Sequence, residues 1–154
     1  MTQHFTRNIV LQSALQLAES RGISQQKLLA DAGLSEDDAY RPGGLVPSRK
    51  LVNFMENAAD VTGMADFGIH WGQAADYRTF GALGVVASHH RRLSDAIVEV
   101  GQYLSQMSIG YSFRLKRDGN SASMVMRIGV RCDRRPKHYV EGNVMMLVRF
   151  ARLI

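Results

Sequence analysis

Along the first two-thirds of the chain, apolar residues recur every three to four positions in short runs, the period of helices with one buried face. Phe5, Ile9, Leu11, Leu15 and Ala18 make the first run, and Gly22 follows where a left-handed cap is wanted. Ser24 stands at the start of a second helix over 25–32, with Leu28 and Leu29 facing inward and Gly33 as its stop. Ser35 followed by Glu36, Asp37 and Asp38 starts a third, because carboxylates in a first turn suit the positive end of a helix dipole. Arg41-Pro42-Gly43-Gly44 breaks the chain. Pro47-Ser48 opens a stronger helix, with Leu51, Val52, Met55, Ala58, Ala59 and Thr62 on one side and Gly63 at its end. A shorter amphipathic piece over 66–75 carries Phe67, Ile69 and Trp71.

Small residues dominate 80–88, where Gly81 and Gly84 predict a helix packed closely on a neighbour. Ser94 is placed to cap the next helix, with Ala96, Ile97, Val100, Tyr103, Leu104 and Met107 as its buried stripe. The period then changes from 3.6 to 2. Ile109, Tyr111, Phe113 and Leu115 alternate with polar residues, Asp118-Gly119-Asn120 signals a turn, and Ala122, Met124, Met126 and Ile128 alternate again. After a basic loop over 131–137, Val140, Val144, Leu147, Val148, Ala151 and Ile154 return to helical spacing. The expected fold class is α+β: a mostly helical N-terminal two-thirds packed on a small antiparallel sheet, the hairpin near 109–130, then a C-terminal helix. The pattern predicts a single domain over 1–154 that is truncated at its C-terminal end. Its last stripe runs uncapped to Ile154, and an isolated two-stranded hairpin is only marginally stable.

Composition narrows the class of protein. At 45% hydrophobic and 21% charged residues the chain has ordinary globular character, which argues against disorder. Cys132 is the only cysteine, so no internal disulfide framework and no all-cysteine metal site can form. No run approaches the ~18 apolar residues of a membrane span, and a cytoplasmic location is expected. The net charge of +5 is uneven: −2 through Ala75 and +7 beyond it. A basic half favours encounter with nucleic acid or anionic ligands but carries no specificity by itself.

Several constellations have two readings. Residues 25–35 resemble the front of a helix-turn-helix, but the helix that would enter the groove leads with Glu36, Asp37 and Asp38, which repel phosphates. An ordinary helical hairpin accounts for them better. His89-His90-Arg91-Arg92 reads as a solvated helix end or an anion-binding patch; adjacent histidines on a helix diverge by about 100° and do not chelate. Arg131-Cys132-Asp133-Arg134-Arg135-Pro136-Lys137-His138 is either a solvated loop whose bases oppose acids elsewhere or a grip for a phosphate or carboxylate. Arg131 and Arg134 beside Cys132 would lower its thiol pKa. Trp71, Tyr77, Phe80 and Tyr103 are either core or the lining of a small-molecule cavity. No nucleophile motif, phosphate loop or metal-ligand spacing is present, so no catalytic residue, metal or cofactor is expected.

In order along the chain come Leu28-Leu29-Ala30-Asp31-Ala32-Gly33-Leu34, Val46-Pro47, Leu51 with Glu56-Asn57-Ala58-Ala59 and Thr62-Gly63, and Asp66-Phe67-Gly68 with Gly72. Phe80-Gly81-Ala82-Leu83-Gly84, Ser88, Leu93-Ser94-Asp95-Ala96 with Tyr103, and Asp118-Gly119 follow. From about Gly22 onward this series resembles the N-terminal regulatory domain of AraC/XylS-type transcription regulators, in the branch labelled arabinose-binding. The sequence departs from that branch at Ser88-His89-His90-Arg91-Arg92, where Ser-Pro-Thr is frequent. The resemblance implies an effector-sensing and dimerising domain, with DNA bound only through a C-terminal helix-turn-helix domain absent from this chain. It implies a small-molecule effector of unspecified identity but transfers no ligand residues; from the residues themselves, Trp71, Tyr77, Phe80 and Tyr103 are expected to touch it, with Arg91 or Arg131 as an anion anchor. A homodimer contact is expected on Val144, Leu147, Val148 and Ala151, with no membrane partner. The alternatives are a protein-interaction module without a small-molecule ligand, or direct nucleic-acid binding through Arg134, Arg135 and the rest of the basic half.

Overall fold

In the computed structural model, which describes residues 4–75, 85, 89–107 and 110–152, the chain is α+β. A short strand β1 (Phe5–Arg7) precedes α1 (Ile9–Glu19), α2 (Gln25–Asp31) and α3 (Glu36–Tyr40). Strand β2 (Leu45–Pro47) then returns antiparallel to β1, with Thr6 opposite Val46. Phe5 therefore belongs to a strand, not to the first helix. The reason is long-range. Thr6 and Ser48 share a hydroxyl hydrogen bond of 2.9 Å, and the Asn8 amide donates to the Arg41 carbonyl at 2.7 Å. The Asn8 N–H also donates to the Gly44 carbonyl at 3.0 Å. Asn8 thus ties the Arg41–Gly44 break to the start of α1, where Gly44 leaves room for its amide: a Cβ there would lie 2.6 Å from Asn8 Nδ2.

The helical signals locate α1 to α5 well. Ser35 accepts from the Asp38 N–H at 3.1 Å while the Asp38 carboxylate accepts from the Ser35 N–H at 2.9 Å, a reciprocal capping box. Ser24 occupies the N-cap of α2 in extended conformation, but its hydroxyl makes no capping bond. Helix α4 (Ser48–Thr62) buries Leu51, Val52, Met55, Ala58 and Ala59 as the spacing predicts, and also Phe54 and Glu56. It ends at Gly63, whose φ of +68° would strain any other residue. Helix α5 (Phe67–Ala74) buries Phe67 and Trp71. Helix α6 (Leu93–Met107) begins one residue before Ser94, so Ser94 lies inside the first turn and is not its cap. The hairpin consists of β3 (Tyr111–Asp118) and β4 (Ser121–Ile128), joined at Gly119-Asn120, with Tyr111 opposite Ile128. Helix α7 (Lys137–Ala151) follows.

Two apolar clusters share α7. The larger joins α1–α5 to Tyr139 and Met146; the smaller sets Ala96 and Val100 of α6 and Phe113 of β3 against Leu147 and Phe150. The buried side of α7 is His138, Tyr139, Gly142, Asn143, Met146, Leu147 and Phe150, while Val144 and Val148 are exposed. The apolar stripe expected from Val140 to Ala151 is therefore rotated, because the inward face includes polar and small residues that a hydropathy reading passes over. Asn143 covers its polarity by donating to the Tyr139 carbonyl at 2.7 Å, and the His138 ring meets Phe67 edge-on. The close helix crossing lies between α5 and α7. A Cβ on Gly68 would sit 2.2 Å from the His138 carbonyl oxygen, one on Gly72 2.5 Å from that of Gly142, and one on Gly142 2.0 Å from Trp71. Arg149 donates to the Ala75 carbonyl at 2.7 Å, satisfying the C-terminal end of α5. Gly81 and Gly84, expected to serve such a contact, lie outside the described residues.

Candidate ligand cleft

A half-open cleft of about 810 Å³ lies where the start of α4 faces the segment between β4 and α7. That volume is in the range of small-molecule sites, roughly 300–1,000 Å³. Pro47, Arg49, Lys50 and Asn53 line it from the α4 side and Gly129, Val130, Arg131 and Asp133 from the segment before α7, and His4 and Ala32 complete the lining. Local folding explains why these side chains meet. Arg49, Lys50 and Asn53 occupy the first turns of α4, on the side away from Leu51, Val52 and Met55. The segment before α7 is irregular backbone held at both ends. On one side the Gly129 N–H donates to the Gly110 carbonyl at 2.7 Å, continuing the hairpin; on the other the His138 N–H donates to buried Glu56 at 2.8 Å. A carboxylate at the N-terminus of α7 also matches that helix's dipole.

The electrostatics centre on Asp133. Arg49 grips its carboxylate with both Nε, at 2.8 Å, and Nη2, while Asn53 Nδ2 donates to it at 3.2 Å. The Arg49 and Asn53 bonds hold the Asp133 carboxyl below its ordinary range, and the same pairing raises Arg49. Both partners are half or more exposed (61% and 51%), so solvent screens the pair and it holds the segment only weakly. Lys50 Nζ donates to the Gly33 carbonyl. Arg131 is exposed and has no hydrogen-bond or ion-pair partner among the described residues. Two atoms of the lining residues, His4 Nδ1 and Asn53 Oδ1, are buried with no hydrogen-bond partner among the described residues.

Of the effector-binding candidates named from sequence, the described cleft lining contains Arg131, joined by Asp133 of the basic stretch read as an anion grip. Trp71 is fully buried, its Nε1 donating to Ser13 Oγ at 2.8 Å and its ring stacked 6.4 Å from that of Tyr139. That environment is core. Tyr103 is 44% exposed on α6, so it leaves the predicted buried stripe and lies apart from the cleft lining. Arg91 is exposed just before α6, and Tyr77 and Phe80 lie outside the described residues. Val144 and Val148 are exposed, Ala151 is half-buried, and Leu147 is only 8% exposed within the smaller cluster.

Two of the four bases in the loop oppose acids among the described residues: Arg134 meets Asp60 at 2.8 Å and also Asn57 Oδ1 at 3.1 Å, and Lys137 Nζ lies 3.5 Å from Glu141. The Cys132 expectation is overturned. Burial first, then Asp133, pushes its thiol above the ordinary value, and Arg49 only partly opposes them. His90 pairs with Glu99, His89 Nδ1 lies 2.7 Å from the Val85 carbonyl, and no group of three or more metal-ligating side chains occurs among the described residues. Sequence reasoning missed His4, Arg49, Lys50 and Asn53. An Arg-Lys pair at the start of a helix has the pattern of a solvated face, and only the packing of residues 129–133 against it makes a cleft.

The described residues form a helical layer with a charged, half-open cleft at one edge. Residues 22–154 match the family model described as "Arabinose-binding domain of AraC transcription regulator, N-term". The chain belongs to that family. No curated protein matches it in a direct comparison. Among the described residues no helix is long and apolar enough to cross a membrane.

Proposed function

We propose that this domain is the effector-responsive part of an AraC-type regulator, and that a small molecule enters the cleft between α4 and the segment leading into α7. The observation that carries this reading is the cleft itself: a small-molecule-sized volume lined by Arg49, Lys50 and Arg131, the last with no ion-pair partner among the described residues. A ligand that binds one placement of the 129–136 segment better than another shifts the population of α7 positions by its differential affinity. A separate helix-turn-helix domain would read that shift at DNA in the cytoplasm. The exposed acids at the start of α3 support delegating DNA contact in this way.

Calorimetric titration of the chain against a metabolite library tests the proposal. A binding compound should lose affinity on Arg131→Ala and Lys50→Ala and keep it on Tyr103→Ala. Binding that survives both cleft substitutions refutes the placement.

A second reading rests on Val144 and Val148, 46% and 39% exposed one turn apart on α7. They are suited to a homodimer contact. Sedimentation equilibrium of the Val144→Glu, Val148→Glu double variant should then report a monomer where the parent dimerises.

A further inference from the structure

The structure assigns the Arg49–Asn53 end of the cleft as a carboxylate seat that Asp133 fills as a tethered stand-in, so that a small organic carboxylate binds by displacing it. This rests on the reading of the cleft as the effector site and goes further, by naming the ligand class and its built-in competitor. The chemistry of the seat is shown by its present occupant. A guanidinium fork and a side-chain amide converge on one carboxylate, the planar match that favours arginine for such groups. Asp133 sits on irregular backbone and its ion pair is open to water, so an incoming carboxylate exchanges like for like. Arg131, two residues away and with no anionic partner among the described residues, supplies a second cation for the newcomer.

Displacement has a mechanical consequence. Asp133 is three residues before Pro136, the N-cap of α7, and α7 carries side chains of both apolar clusters. Releasing Asp133 leaves Arg134 on Asp60 and Asn57, and Glu56 on the His138 N–H, as the remaining polar ties between α4 and this junction among the described residues. Trp71, the only tryptophan, stacks on Tyr139 of α7 and so reports movement of that helix.

The test uses succinate as the carboxylate probe, succinamide as its neutral isostere and sulfate as a plain anion, measured by calorimetry on the whole chain. Asp133→Asn empties the seat of its internal anion and should bind succinate about tenfold more tightly than the parent, the factor expected if Asp133 occupies the seat roughly nine-tenths of the time. Asp118→Asn removes the same charge at the exposed tip of the β3–β4 hairpin, outside the cleft lining, and should change succinate affinity less than about twofold, which separates displacement from a general charge effect. Adding Arg49→Gln to Asp133→Asn should abolish the gain, and succinamide and sulfate should show none. Circular dichroism confirms that each variant is folded. Equal or weaker succinate binding by Asp133→Asn, or an equal gain in Asp118→Asn, overturns the proposal. A library ligand that binds through Arg131 and Lys50 with no change in Asp133→Asn sinks this inference and leaves the effector reading standing. Succinate binding to Asp133→Asn without a change in Trp71 emission overturns the link to α7.

Discussion

Replacing Gly142 by alanine sets two effects of opposite sign against each other, and the geometry decides between them. Alanine is favoured over glycine inside a helix by about 1 kcal/mol. Against that, the new Cβ would stand 2.0 Å and 2.5 Å from two Trp71 ring carbons and 2.8 Å from the Gly68 carbonyl oxygen. Trp71 is fully enclosed, stacked on Tyr139 and bonded to Ser13, so it cannot swing aside without losing those contacts. The Gly68 oxygen is backbone and yields only if α5 moves as a unit. Overpacking of this kind costs about 1–3 kcal/mol or more, and contacts this short belong at the upper end. The net expectation is a loss of about 2 kcal/mol. For a chain of this size, where 1 kcal/mol shifts Tm by roughly 2–4 °C, Tm should fall by about 4–8 °C. Thermal melts followed by circular dichroism and Trp71 fluorescence measure it directly. Gly101→Ala serves as the comparison: its Cβ meets the Phe113 carbonyl oxygen at 3.0 Å and the ring at 3.4 Å, so gain and cost should nearly cancel. A Tm for Gly142→Ala equal to or above that of the parent would refute the close α5–α7 crossing.

Two further expectations concern single groups. Cys132, with its thiol pushed up by burial and by Asp133, should react with a disulfide reagent at pH 8 more slowly than a free cysteine, and Asp133→Asn should speed it; a parent rate matching free cysteine counts against the placement. Ser35→Ala should cost about 1 kcal/mol in urea unfolding by removing the α3 cap. The Ser35 backbone and hydroxyl bonds lower Asp38, so its stabilisation is present above the unfolded carboxylate pKa and lost as pH falls through the depressed value. Ser35→Ala should therefore flatten the acid side of the stability profile, and an unchanged profile would remove the cap from the account.

The cleft was nearly invisible in the amino-acid sequence. Arg131 was named because charges crowd around it, a signal local enough to read. Arg49, Lys50 and Asn53 are separated from it by about eighty positions, and nothing in the spacing of either segment points to the other. Trp71 shows the converse: an aromatic beside glycines fits a cavity wall and a core equally well, and only the enclosing α1, α5 and α7 decide for core.

The sequence by itself determined the local elements, since their causes act over a few residues. The capping box at Ser35–Asp38, the stop at Gly63, the inward stripe of α4 and the alternation of β3 and β4 all follow from near-neighbour sterics and from the period of apolar positions. Tertiary structure alone decided that Phe5 pairs in a strand with Pro47, and that α7 turns His138, Gly142 and Asn143 inward while Val144 and Val148 face out. It also decided that Arg49 and Asp133 meet. In each case the energy comes from partners distant in the chain: a shared hydroxyl bond, a glycine-mediated helix crossing and a charge pair, none of which leaves a mark in the local spacing of polar and apolar residues.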